Sequence, residues 1–144
     1  RVSPVFEASV APVVVAGTLK IGSGRERRGG ESGVRRLVDR FYDIMDEAPE
    51  ARGIRAMHAE DLGPMRQKLF EFMSGWHGGP PLYFQRKDAV CITRAHQPFA
   101  IGESERDQWL FCMHRALEDI GVDADLRRML ETPLFRIADF LRNR

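Results

Sequence analysis

Residues 94–121 read RAHQPFAIGESERDQWLFCMHRALEDIG, and this stretch decides the fold class. Its second half predicts a long helix with Ser104 as the N-cap. Asp107, three residues on, resembles the second member of a capping box, and Gly121 ends the helix. The apolar residues recur at helical spacing and predict one buried face, formed by Trp109, Met113, Ala116, Leu117 and Ile120.

Three further segments carry the same period. Ser32 is the predicted N-cap of a helix with one apolar stripe: Val34, Leu37, Val38, Phe41, Tyr42 and Met45. A second stripe stops at the Gly-Gly-Pro-Pro run of residues 78–81 and comprises Leu62, Met65, Leu69, Phe72, Met73 and Trp76. Asp123 is the predicted cap of a last helix, in which Thr132-Pro133 indicates a kink or a new start. No segment has the pattern of a sheet, so we expect an all-α domain of four main helices.

Composition excludes several function classes. The formal net charge is +1, from 22 basic and 21 acidic residues, which predicts no nucleic-acid or anionic-membrane partner. The longest apolar run, residues 10–17, is far shorter than the roughly 20 residues of a membrane span. Cys91 and Cys112 lack metal-type spacing and are expected to be inert thiols. These features predict a cytoplasmic protein without a secretion signal.

The chain divides into two parts. Residues 1–28 show no helical period, and we expect an irregular, loosely attached N-terminal extension. Residues 29–144 contain all the periodic segments and form the predicted domain.

The histidines supply the candidate chemistry. His77 follows Trp76 at a predicted helix end, and the helical phase predicts that His114 faces solvent. None of the four histidines has the HExxH or ExxH spacing of a zinc or di-iron site. This leaves His96, in a short segment that Pro98 terminates, and His58. An imidazole beside helices lined with aromatic and soft apolar residues suits a haem.

Several blocks of residues 29–144 closely resemble the group II truncated haemoglobins, a bacterial type of truncated globin. The most specific blocks are Arg94-x-His96-x-Pro98-Phe99-x-Ile101 and Glu105-Arg106-Asp107-x-Trp109-Leu110-x-Cys112-Met113. Others are Gly29-Gly30, Leu37-Val38-Asp39-Arg40-Phe41-Tyr42, Met57-His58-Ala59-Glu60-Asp61-Leu62, Ser74-Gly75-Trp76 and Gly78-Gly79-Pro80.

The resemblance implies a two-over-two helical sandwich around haem b, with His96 as the proximal iron ligand. The distal side would hold Tyr42, His58 and Trp109, with Met65 where myoglobin-type globins carry a histidine. Arg94 is the candidate partner of a haem propionate, because a guanidinium matches a carboxylate. The remaining haem-contacting residues that it implies are Leu69, Phe72, Met73, Phe99, Ile101 and Met113.

The same residues have structural interpretations. Without the resemblance, His96 would be a structural or surface histidine, and Tyr42 and Trp109 would be ordinary core residues at helical spacing. His58 could instead turn outward or cap the helix that follows it.

The resemblance implies binding of O2, NO and CO at ferrous iron, with an O–H and an indole N–H as donors to the ligand. Slow release would favour ligand or redox chemistry over bulk oxygen transport: NO detoxification, weak peroxidase activity or sensing. A separate reductase would supply electrons, and the protein would be a monomer or homodimer. The alternative is a haem-free globin-like regulatory or protein-interaction domain.

Overall fold

The computed structural model describes residues 30–76, 82–89 and 91–144, so the predicted extension at residues 1–28 and His77 lie outside the described residues. Four long helices carry the architecture: α1 (Gly30–Glu47), α3 (Gly63–Trp76), α5 (Glu103–Asp119) and α6 (Ala124–Phe140). Two short helices connect them, α2 (Arg52–Ala56) and α4 (Ile92–His96), together with 3-10 turns at Pro49–Ala51 and Tyr83–Gln85. The described part of the chain contains no strand.

The first helix has the predicted apolar face. All six residues of the stripe are buried, because a 3.6-residue period brings them to one side of the helix. The prediction for Ser32 was wrong. The helix begins at Gly30, so Ser32 lies inside the first turn and is exposed.

Helix α3 packs against α1 and ends at Trp76. Phe70, which the sequence pattern did not single out, is 2% exposed, and the Arg35 guanidinium of α1 lies 3.7 Å from the centre of its ring. Arg66 adds a polar link between the two helices through Asp39 and Asp43, at 3.4 and 2.8 Å. Both apolar and charged contacts therefore hold this helix pair together.

The start of α5 differs from the prediction. The N-cap is Gly102, whose backbone N–H donates to Glu105 Oε1 at 2.8 Å. Ser104 and Asp107 therefore do not form the cap. Glu105 lies three residues after Gly102, which is the spacing of a capping box. The prediction placed this box two residues too late because Gly102 has no side-chain oxygen to mark it as the cap.

The junction of α5 and α6 follows the predicted signals. Gly121 adopts a φ of 86°, a conformation that glycine tolerates best, and it closes α5. Asp123 caps α6 by accepting from the Asp125 N–H at 3.1 Å. Pro133 lies within a continuous α6, so no new helix starts there.

The long helices form two pairs. Helix α1 contacts α3 and also α5, and α5 contacts α6. On the buried face of α5, Met113, Ala116 and Leu117 are fully buried as predicted, and Cys112 joins them. Trp109 and Ile120 are only partly buried. The all-α, two-over-two prediction is confirmed. Among the described helices, none is long and apolar enough to cross a membrane.

Candidate functional site

Tyr42 turns its ring inward from the second half of α1, with 3% of the residue exposed. The ring packs edge-on against Phe41, at 4.9 Å between centroids, and against His58 at 5.9 Å. Burial raises the pKa of the Tyr42 hydroxyl; the positive charge of Arg66 opposes this rise and Cys112 adds to it. The hydroxyl therefore keeps its proton at neutral pH and can donate a hydrogen bond.

His58 follows α2, and its ring is fixed by the backbone. The ring Nδ1 lies 2.8 Å from the carbonyl oxygen of Ile54. A carbonyl only accepts, so Nδ1 carries the hydrogen and Nε2 of the neutral ring keeps a lone pair. Ile54 is fixed in turn, because its N–H donates to Gln108 Oε1 of α5 at 2.9 Å. A β-carbon at Gly53 would lie 2.8 Å from the Gln108 amide, so glycine permits this approach.

Trp109 is the residue after Gln108 on α5. Its ring lies 5.5 Å from that of Phe41, which is fully buried and also contacts Tyr42. Phe41 thus holds the two polar aromatic side chains on one side of the site. The indole N–H of Trp109 can only donate.

His96 is the last residue of α4. Its Nδ1 lies 2.7 Å from the carbonyl oxygen of Ile92, so Nδ1 carries the hydrogen and the Nε2 lone pair remains. Burial lowers the pKa of His96; the hydrogen bond to Ile92 opposes this, and charge on His58 lowers it further. A neutral imidazole with a free Nε2 is the form that binds a metal ion.

The other predicted contact residues differ in burial. Phe72, Met73 and Met113 are buried, whereas Met65, Leu69 and Ile101 are partly buried. Arg94 is exposed, and Phe99 is 40% exposed. The contacts of these eight residues with a haem stay predictions.

Four polar side-chain tips in the site have no hydrogen-bond partner among the described residues. Across residues 30–76, 82–89 and 91–144, no group hydrogen-bonds to the Tyr42 hydroxyl, the Trp109 indole nitrogen, or Nε2 of His58 or His96. None of these four atoms is among the fully buried side-chain atoms that lack a partner in the described structure, so a bound molecule can reach each of them. The arrangement therefore suits a ligand that one side chain coordinates and others meet with hydrogen bonds.

Sequence reasoning missed the residues that fix these side chains. Gln108 accepts from the N–H of Ile54, 54 positions away, and Asn143 donates to the carbonyl oxygen of Phe99, 44 positions away. No local sequence pattern predicts such pairs. The helical phase predicted that His114 faces solvent, and the structure leaves this residue partly exposed. It is half-buried in a groove of about 390 Å³ between α5 and α6, and burial lowers its pKa.

Comparison with known proteins identifies the family. The family model described as bacterial-like globin matches residues 26–143. The chain belongs to the bacterial-like globin family. One relative, the group 2 truncated haemoglobin YjbI of Bacillus subtilis, is 31% identical over 101 residues, which are 70% of this chain and 74% of the relative.

Solved structures agree with this globin assignment. The cold-adapted truncated haemoglobin of the Antarctic bacterium Pseudoalteromonas haloplanktis TAC125 has a TM-score of 0.75 and 36% identity, over 81% of this chain and 94% of that chain. The truncated oxygen-avid haemoglobin of Bacillus subtilis has a TM-score of 0.70 and 30% identity, over 82% and 98%. The resemblance to group II truncated haemoglobins is confirmed.

The family's cofactor is haem b, and the family binds small gas ligands such as O2. The residues of this globin fit that cofactor. His96 offers a neutral imidazole with a free Nε2, and Tyr42 and Trp109 offer donors without protein acceptors among the described groups. Phe72 and Met73 add buried apolar surface on α3.

Proposed function

We propose that this globin binds O2, and also NO and CO, with His96 as the axial ligand and with Tyr42, Trp109 and His58 on the distal side. When bound, the haem supplies a ferrous iron that takes a diatomic gas. One observation carries the proposal: the polar tips of these four side chains have no partner among the described protein groups.

Tyr42 and Trp109 act as the two donors to the ligand. The raised pKa of Tyr42 keeps the hydrogen on its hydroxyl. The indole of Trp109 has a donor and no acceptor, so it can only donate to the ligand. Donors fixed before the ligand arrives need little reorganisation. Each hydrogen bond contributes about 1 kcal/mol. Together they slow ligand escape by roughly 30-fold, since 1.4 kcal/mol corresponds to a factor of ten.

His58 acts through Tyr42 rather than on the ligand. Its Nδ1 hydrogen points to the Ile54 carbonyl, so the neutral ring presents only an accepting Nε2 to the site. That lone pair can accept the Tyr42 hydroxyl hydrogen. Because the hydroxyl has a single hydrogen, His58 and the ligand compete for it. Replacement of His58 by Leu is therefore expected to slow O2 dissociation, whereas a direct donor role would make the dissociation faster.

Retention of the ligand favours ligand chemistry over bulk oxygen transport. The Bacillus subtilis structure described as oxygen-avid supports this view by similarity. NO detoxification, weak peroxide turnover and sensing are the candidate roles, with electrons supplied by a separate reductase. If the purified protein oxidises a phenolic donor no faster than free haemin, the peroxidase role is excluded.

Visible absorption spectra test the axial ligand. Protein expressed with a haem supply is measured in the ferric state, after dithionite reduction, and reduced under CO. We expect a five-coordinate reduced spectrum that converts to a CO adduct, and loss of the Soret band in His96→Ala. His114→Ala is the matched control, since its half-buried ring lines the groove between α5 and α6. Absence of a Soret band in the wild type would overturn the proposal and favour the haem-free interaction domain.

A further inference from the structure

The carboxamide of Asn143 binds the backbone that follows His96. Its Nδ2 donates to the carbonyl oxygen of Phe99 at 2.7 Å and lies 3.4 Å from that of His96 itself. Its Oδ1 accepts from the Ile101 N–H at 2.9 Å. The side chain therefore uses its donor and its acceptor on one short loop.

Backbone bonds add to this contact. The N–H groups of Asn143 and Arg144 both donate to the carbonyl oxygen of Ile101, at 2.9 and 3.1 Å. Both polar backbone groups of Ile101 are thus engaged by residues that follow α6. We refer to these bonds, from Asn143 and Arg144 to residues 96–101, as the C-terminal clasp.

The loop has little other support in the described structure. Helix α4 has only five residues and no side-chain cap, and residues 97–100 are all exposed. Helices this short are not stable by themselves, so their geometry depends on tertiary contacts. Two turn bonds close the end of the helix: the Gln97 N–H donates to the Arg94 carbonyl at 3.2 Å, and the Phe99 N–H donates to the His96 carbonyl at 3.1 Å. The Asn143 Nδ2 of the clasp lies 3.4 Å from that same carbonyl oxygen.

The clasp is itself fixed to the long helices. Asp139 of α6 accepts from Arg106 of α5 at 2.9 Å and from Arg142 at 3.0 Å. The Arg106 guanidinium also lies 4.8 Å from the centre of the Phe135 ring. These contacts tie the end of α6 to the start of α5, so Asn143 approaches the loop from a rigid base.

From these contacts we infer that Asn143 is a positioning residue that sets the orientation of the His96 imidazole toward the haem iron. The inference rests on the proposed function, in which His96 is the axial ligand. His96 is held at two points. Its ring Nδ1 bonds to the carbonyl oxygen of Ile92 at the start of α4, and its backbone carbonyl lies next to the Asn143 amide of the clasp at the end of α4. A shift of the loop therefore turns the ring.

The chemistry of the carboxamide makes the inference specific. An aspartate at position 143 keeps an acceptor for the Ile101 N–H but cannot donate to the His96 and Phe99 carbonyl oxygens. It would place a negative charge against both of them. An alanine removes all three side-chain contacts and adds no repulsion. Asn143→Asp should therefore disturb the proximal segment more than Asn143→Ala.

The iron–histidine stretching band in the resonance Raman spectrum of the reduced holoprotein is the direct readout. Wild type, Asn143→Ala, Asn143→Asp and Arg144→Ala are compared. Arg144→Ala is the matched control, because Arg144 joins the clasp through backbone atoms only. In both Asn143 variants we expect the band to broaden and move to lower frequency. Haem transfer to an acceptor globin should become about tenfold faster, as for other groups that orient a metal ligand. The control should match wild type.

The outcomes separate positioning from stability and from the proposed function. Asn143 variants that unfold at lower temperature but keep the wild-type band would overturn the inference. If the Asp variant does not fold, the Ala variant decides by the same criterion. A reduced, five-coordinate wild-type protein that holds haem without any iron–histidine band would overturn His96 ligation, and the inference with it. A wild-type band that is unchanged in both variants overturns only the role of Asn143.

Discussion

The proposed distal and proximal sides of this globin are built in different ways. On the distal side, Tyr42 and Trp109 come from long helices and meet at the fully buried ring of Phe41. On the proximal side, His96 ends a five-residue helix whose following loop is exposed and is tied down by Asn143. Apolar packing therefore sets the distal geometry, whereas hydrogen bonds from a distant segment set the proximal geometry. The two sides should respond differently to the same kind of perturbation.

The largest contrast is expected between the two thiols. Burial raises the pKa of Cys112, beside Tyr42 on the distal side, to about 12. The backbone N–H of Arg94 holds the pKa of Cys91, at the start of α4, below its ordinary value. At pH 8 the Cys112 thiol therefore keeps its proton, and iodoacetamide should label Cys91 alone. Mass spectrometry identifies the labelled cysteine, and urea-unfolded protein is the control. Equal labelling of both cysteines in the folded protein would contradict the difference between the two thiols.

Phe41→Ala should cause the largest loss of stability. Truncation of a buried phenylalanine leaves a cavity and costs about 3–5 kcal/mol. O2 dissociation should also accelerate, because both Tyr42 and Trp109 lose a packing partner. Urea unfolding and stopped-flow measurements check the two effects. Met129→Ala is the control, because that residue is 61% exposed and should change stability by less than about 0.5 kcal/mol. An equal loss of stability in both variants would contradict the claim that apolar packing sets the distal geometry.

Gln108→Leu should have an intermediate effect. It leaves the N–H of Ile54, a residue that is 5% exposed, without its acceptor. An unpaired buried donor costs about 1–3 kcal/mol of folding free energy. Ser104→Ala is the matched control, since it removes only the exposed 3.1 Å bond from the Gln108 Nε2. Thermal unfolding that does not distinguish the two variants would show that the link from α5 to Ile54 has no energetic weight.

Tyr42→Phe should have the smallest effect, and this effect should be limited to the rate of O2 dissociation. Loss of one donor, worth about 1 kcal/mol, should make O2 dissociation roughly fivefold faster. Trp109→Phe should act similarly. In the wild type the rate should stay level from about pH 7 to 10, since the raised pKa of Tyr42 keeps its hydroxyl protonated through that range. A wild-type rate in Tyr42→Phe, measured by stopped flow, would exclude the donor role.

The sequence predicts the distal side better than the proximal side, and the reason is physical. The stripe from Val34 to Met45 lies on one helix, so a 3.6-residue period is enough to predict its burial. Tyr42 and Trp109 belong to such stripes. Family resemblance was needed only to give them a role beyond the core.

The errors arose where backbone groups replace side-chain signals. Gly102 caps α5 without a side-chain oxygen, whereas the usual preference for Ser or Asp at an N-cap predicted Ser104. Asn143 contacts a loop 44 positions away, and no local pattern predicts such a contact. His96 could be singled out from its flanking motif, but the support of its segment was not predictable.

Replacement of His96 by Gly, followed by addition of imidazole, is the most direct test of whether the His96 side chain holds the haem iron. A free imidazole can take the place of the missing side chain only if that side chain holds the iron. We expect His96→Gly to lose haem on gel filtration, and imidazole to restore haem retention and a wild-type-like reduced spectrum. His114→Gly should keep its haem throughout. Retention of haem by His96→Gly with an unchanged iron–histidine band would contradict the account.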